Sequence, residues 1–154
     1  LSQLLVQAHW HIPLLIRYPQ KIEPRTDELL LSVPDLYPTF LALMGMENLI
    51  PDDVEGISYA DYLLTVEGET PSSQLYMKIP LGEPTKGYRG VRNKRYTYVV
   101  QKMEDNKTDI VLFDRHKDPY QLNNIAKENK QLVDELNTEL FEWLDRTDDP
   151  WAEN

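Results

Sequence analysis

Residues 88–101 read YRGVRNKRYTYVVQ. Two short runs, Tyr88 to Arg92 and Arg95 to Gln101, flank Asn93-Lys94. β-branched and aromatic residues on either side of so short a polar break predict an antiparallel hairpin. Upstream, Gln74 to Ile79 (QLYMKI) alternates like a strand, and LGEPTKG after it is a turn-rich connection. Downstream, Thr108 to Phe113 (TDIVLF) follows the polar turn EDNK and predicts a fourth strand. Strands this closely spaced argue for an antiparallel sheet rather than βαβ units.

The sheet needs a cover. From about Lys127 to Asp145, Leu132, Leu136, Leu140, Trp143 and Leu144 form one stripe, with Glu128, Asp134, Glu135, Glu139 and Glu142 around the rest. That pattern predicts an amphipathic helix lying on one sheet face. Between last strand and helix lies FDRHKDPYQLNNIA, residues 113–126. Asp114 to Pro119 turns the chain, and Asn123 or Asn124 is placed just ahead of the helix. Asp114, Asp118 and Asn124 are expected to satisfy backbone groups there, which is structural work.

The first half reads differently. Ile12 to Tyr18 (IPLLIRY) is an apolar run closed by Pro19, as expected of a strand buried on both faces in a parallel sheet. Yet the chain holds no βαβ partners for such a strand. SVPDLYPTFLALMGM, residues 32–46, predicts a helix with Ser32 or Asp35 as its cap and Gly45 past its end. Leu36, Phe40, Leu43 and Met44 are expected on one face. Pro51, Asp52, Asp53 and Gly56 mark a loop, and Ser58 a cap for a short helix from Tyr59 to about Leu64.

The whole chain has 154 residues, 41% of them apolar, which suits a packed core. Its net charge of −10 argues against a nucleic-acid surface. The basic residues of YRGVRNKRY are expected on a solvated sheet face. No Cys is present, which excludes disulfides, a thiolate nucleophile and Cys-ligated metal. No apolar run reaches the roughly 18 residues of a membrane span. The start, LSQLLVQAHW, has neither an initiator Met nor the basic region of a signal peptide, and suits a piece of a longer protein.

Chemistry is sparse. His9 and His11 make an H-x-H pair without an evident third ligand, and polar strand-edge residues are the expectation. His116 falls in a charged turn and is expected to be solvated. Carboxylates pair at Asp52-Asp53, Asp114/Asp118 and Asp148-Asp149, with turn capping as the expected role. No G-x-S-x-G, phosphate loop or EF-hand spacing occurs. No catalytic, cofactor-binding or metal-ligating residue is assigned.

Five phrases in order resemble the C-terminal part of a sulfatase of the alkaline phosphatase superfamily: HIPLLIRYPQKI, SVPDLYPTFLALMGM, EGISYADYL, YRGVRNKRYTYV and LFDRHKDPYQLNNIA. They run from about Trp10 toward Leu144. The resemblance implies an α/β fragment that is mostly α+β. Residues 1–70 would be the end of the main α/β sulfatase domain, with its strand and helix. Residues 71–154 would be the C-terminal antiparallel sheet of about four strands with its closing helix. It further implies that the full-length enzyme cleaves sulfate esters of a small molecule or glycan, using formylglycine and calcium, in a periplasmic, secreted or lysosomal-type compartment. The nucleophile motif C/S-x-P-x-R is absent from this sequence. The chain alone is therefore expected to be inactive, and exposed strand edges to permit self-association. A phosphonate or phosphodiester hydrolase of the same superfamily would share these phrases. A free-standing interaction or carbohydrate-binding module is the alternative of another class, and would require the strand at Ile12 to Tyr18 to be paired within this chain.

Overall fold

The computed structural model describes residues 13–102 and 108–153. The chain divides into two compact units, Leu14–Gln74 and one built on Leu75–Asn154.

The second unit is the predicted sheet and helix. Strands β1 (Ser73–Lys78), β2 (Tyr88–Asn93), β3 (Tyr96–Lys102) and β4 (Thr108–Asp114) lie in the order β1-β2-β3-β4. β2 and β3 are antiparallel with Val91 opposite Tyr98 and Arg92 opposite Thr97, and β3 and β4 are antiparallel with Thr97 opposite Phe113. Asn93 makes the hairpin turn. Its Oδ1 accepts the backbone N–H groups of Arg95 (2.9 Å) and Tyr96 (2.6 Å), the local capping that favours Asn there.

Because side chains alternate, the sheet presents two apolar faces. Val91, Tyr98, Val100 and Leu112 pack with Leu136, Leu140 and Leu144 of helix α1 (Lys130–Arg146) and with Trp151. Tyr88, Val99, Val111 and Phe113 form a second cluster on the other face, with Tyr76 stacked on Tyr88 at 5.7 Å between ring centroids. The helical stripe is as the spacing predicts, with Leu132 and Trp143 at its partly buried margin. The helix begins at Lys130, later than expected, with Asn129 at its cap position; Asn123 and Asn124 do not cap it. A turn over residues 126–128 intervenes, and Asn124 is used elsewhere, as described below. The helix ends in a Schellman turn. Asp148 takes φ 47°, Asp148 N–H donates to Asp145 O (3.3 Å) and Asp149 N–H to Leu144 O (2.9 Å).

The first unit holds helix α2 (Val33–Leu43) and the short helix α3 (Ala60–Thr65), around a core of Leu43, Ala60 and Leu63. Ser32 is the cap of α2. Asp35 Oδ2 accepts from its backbone N–H (2.8 Å) and its hydroxyl (2.6 Å), while Asp35 Oδ1 accepts Ile57 N–H (2.9 Å). Pro38 lacks the N–H that would reach the Pro34 carbonyl. Gly56 approaches that carbonyl so closely that a Cβ there would lie 2.0 Å from its oxygen. Gly45, at φ 73°, ends α2 in a second Schellman turn, with Gly45 N–H to Ala42 O and Met46 N–H to Leu41 O, each 2.9 Å.

Three expectations for this half are corrected. Residues 13–18 form no strand: Leu15 is 94% exposed and Leu14 is exposed, while Ile16 alone joins the small core. An inner parallel strand needs ladder partners on both sides, and none stands beside it among the described residues. The apolar face of α2 is also divided. Leu43 is buried, but Phe40 and Met44 are exposed together with Val33 and Tyr37, because Asp35, Pro38, Thr39 and Leu43 face inward. Finally, Ser58 is a weak cap of α3, its hydroxyl oxygen accepting Ala60 N–H at 3.3 Å; the Thr39 hydroxyl accepts Tyr59 N–H at 3.0 Å.

Candidate functional site

Polar side chains of the second unit gather in two places. The first is the corner where β4 leaves the sheet. Asp114 Oδ2 accepts from Arg95 Nε (3.2 Å) and Nη2 (2.8 Å), and its Oδ1 from the backbone N–H of His116 (3.1 Å). The Arg95 hydrogen bonds outweigh burial and hold the Asp114 carboxyl below its ordinary pKa. Asp118 Oδ2 accepts Asn123 N–H (2.7 Å). Arg115 Nη2 donates to the Asn93 carbonyl, tying the corner to the hairpin. His116 itself is exposed.

Asn124 has a different task from the cap expected of it. Its Oδ1 accepts Leu112 N–H and Ala126 N–H, and its Nδ2 donates to Ile110 O, all at 3.0 Å. Ile125 N–H adds a bond to Leu112 O at 2.9 Å. β4 is an edge strand, and this side chain occupies its outer backbone groups where a foreign strand would pair. Asn124→Ala removes three hydrogen bonds and leaves backbone groups of an edge strand unpaired. The expected loss is about 1–3 kcal/mol in a urea melt. An unchanged midpoint would show that water replaces the amide at no cost.

The second gathering is buried. Arg89 is 0% exposed, and its Nε and Nη2 donate to Asp149 Oδ2 (2.7 Å) and Oδ1 (3.0 Å) as a two-pronged pair. Nη2 also donates to Pro84 O (2.9 Å) and Nη1 to Tyr88 O (3.2 Å). Trp151 covers the guanidinium at 5.9 Å, and Lys102 Nζ lies 4.1 Å from the same ring and donates to the Trp151 carbonyl. Asp149 Oδ1 accepts Trp151 N–H as well (2.9 Å). Arg89 is thus not on a solvated face, as the run of basic residues suggested. It shares strand parity with Val91 and points to the helix-covered side. That parity was the available signal; its partner, 60 residues away, had none.

Of the other singled-out residues, Asp52 and Asp53 lie exposed in a turn, and Asp148 is exposed while Asp149 is buried. His9 and His11 lie outside the described residues. Among the described residues no three His, Asp or Glu side chains converge as a metal cage would require. The buried carboxylates Asp114 and Asp149 are each engaged by an arginine and by backbone N–H groups, which is the chemistry of a scaffold.

Residues 3–148 match the sequence profile described as N-sulphoglucosamine sulphohydrolase, C-terminal. The chain belongs to this sulfatase family. An endo-4-O-sulfatase of Bacteroides thetaiotaomicron is 40% identical, over 92% of this chain and 30% of that protein. A solved protein from the glycosaminoglycan metabolism of the same organism superposes with a TM-score of 0.80 at 37% identity, over 88% of this chain and 31% of that one. A third, solved with its substrate D-glucosamine-2-N,6-O-disulfate, gives a TM-score of 0.65 at 25% identity, over 87% of this chain and 28% of that one. The chain thus spans about a third or less of the length of these relatives. The four-stranded antiparallel sheet with its C-terminal helix is the fold of the sulfatase C-terminal region. No helix among the described residues is long and apolar enough to cross a membrane.

Proposed function

We propose that this chain is the C-terminal portion of a hydrolase that cleaves sulfate esters on a glycan, and that it is inactive alone. The family match over residues 3–148 carries the reading. The relatives' activities, on a 4-O-sulfate and on a disulfated glucosamine, favour a sulfated sugar as substrate. On this reading residues 1–70 are the end of the main α/β domain, and 71–154 the C-terminal antiparallel sheet with its closing helix. The exposed Val33, Tyr37, Phe40 and Met44 stripe of α2, and the unpaired apolar run at Leu14 and Leu15, support that division. Both are apolar surface of the kind a larger core would cover. Formylglycine and the calcium ligands would be supplied by residues outside this sequence.

The purified chain, assayed on an aryl sulfate and on D-glucosamine-2-N,6-O-disulfate with added calcium, is expected to give no turnover above a denatured control. Turnover that disappears on changing one residue of this chain would overturn the inactive reading. The coding sequence upstream of Leu1 should contain C/S-x-P-x-R in frame; a start codon adjoining Leu1 with no such motif would overturn the parent-enzyme reading.

A further inference from the structure

One cation of the sheet has no anion to meet. Arg92 is half-buried, at the hairpin end of β2, and no ion pair or hydrogen bond reaches its guanidinium among the described residues. The other two hairpin arginines are both matched, Arg89 by Asp149 and Arg95 by Asp114. Arg92 pairs across the ladder with Thr97, so the two side chains stand on the same face, about 4.5–5.5 Å apart at Cβ. Thr97 is 3% exposed, and its hydroxyl is a buried group without a hydrogen-bond partner. This is the face opposite α1, where Phe113 follows Thr97 in register and Tyr76 packs against the same cluster. A buried hydroxyl left unmatched and a partly desolvated guanidinium left uncompensated both cost stability. Adjacent, they make one complementary need: an acceptor with negative charge.

We infer that Arg92 and Thr97 form an oxyanion site, taking a sulfate or carboxylate group against the face of the sheet opposite α1. A guanidinium matches the two coplanar oxygens of either group, and the threonine hydroxyl donates to one of them. Thr97 is enclosed while Arg92 is only half so, which sets the approach from the Arg92 side. Burial pushes the Arg92 pKa down, as expected of a cation whose counter-charge is missing. The anion has two sources, the sulfate of a sugar or an acidic side chain of further polypeptide. The site stands on this chain's own residues and does not depend on the parent being a sulfatase.

Nitrogen-15 NMR of this chain tests it, with inorganic sulfate, acetate and D-glucosamine-2-N,6-O-disulfate as probes. Sulfate is expected to shift the Arg92 Nε–H signal and the Thr97 amide saturably. Arg92→Met should weaken binding at least tenfold as read at the Thr97 and Val99 amides. Thr97→Val, which keeps the shape, should weaken it about threefold to tenfold, and Lys94→Met in the exposed turn should not change it. The disulfated sugar binding at least tenfold more tightly than sulfate assigns the site to a substrate group; equal affinity for sugar, sulfate and acetate assigns it to a polypeptide carboxylate. Arg92→Met should also melt no lower than the unaltered chain, because it removes an unmatched charge. Absence of a saturable shift, binding that survives Arg92→Met, or a clear loss of stability in that variant would each overturn the inference.

Discussion

Asp149→Ala is expected to destabilise the second unit by about 3–5 kcal/mol, because it leaves the Arg89 guanidinium buried with its charge uncompensated. The pair joins Arg89 of β2, which is 0% exposed, to the segment just past the end of α1. Against a total stability of about 5–15 kcal/mol, that loss removes roughly a fifth or more. The double variant Arg89→Met/Asp149→Leu separates two explanations. If the cost arises from a stranded charge, replacing both partners by apolar groups should recover most of it. If it arises from losing the latch itself, the double variant should be as weak as the single. Guanidinium melts of the three proteins decide between them. The pH dependence has a fixed sign. Burial alone would raise the Asp149 carboxyl, but the Arg89 and Trp151 hydrogen bonds and the nearby charges of Arg89 and Lys102 outweigh it and leave the pKa lowered. A carboxyl lowered on folding stabilises above its unfolded pKa of about 3.9 and loses that contribution as pH falls through the folded value. Stability attributable to the pair should therefore be flat from neutral pH down to about 5, and decline only below about 4. Asp149→Ala should abolish that part of the acid dependence.

How much of this was written in the sequence depended on the range of the forces involved. The strands of the second unit obey a period of two, and α1 a period of 3.6, so each appears where its local pattern says. Asn93 and Gly45 work at turns through contacts two or three residues away, and both were legible. Arg89 was misjudged because charge in a sequence suggests water, whereas parity with Val91 places it inside. Its acceptor arrives only when α1 has folded back. Asn124 was read as a helix cap from its position ahead of a helix, but its amide matches an edge strand, and a strand's edge is a property of the assembled sheet. The run at 14–18 was misread for the opposite reason. Its composition is that of a strand between two others, and no flanking strand pairs with it among the described residues. The stripe of α2 was misread in a similar way: helical spacing shows that apolar residues share a face, not that the face is buried.

Leu140→Ala combined with Leu144→Ala is expected to abolish cooperative unfolding of the second unit. Both leucines are fully buried, one helical turn apart, against Val91, Tyr98, Val100 and Leu112. Each truncation should cost about 2–5 kcal/mol in transfer energy and residual cavity. The two neighbours will not add perfectly, since one enlarged cavity can collapse further than two separate ones. Even the lower combined figure of about 4 kcal/mol approaches the whole stability of a small domain. The Tyr98 hydroxyl to Asn137 Oδ1 bond, at 3.0 Å, ties β3 to α1 but cannot replace that burial. Its survival would not hold the helix in place. Glu142→Ala, on the exposed side of the same helix, should change stability by no more than about 0.5 kcal/mol. Near-UV circular dichroism during a urea titration reads the packing of Tyr98 and Trp151 directly. A sigmoidal transition at the unaltered midpoint in the double variant would mean that α1 is not what covers this face. A broad, sloping signal with helix retained in the far UV is the expected result, because the helix can persist after its packing against the sheet is lost.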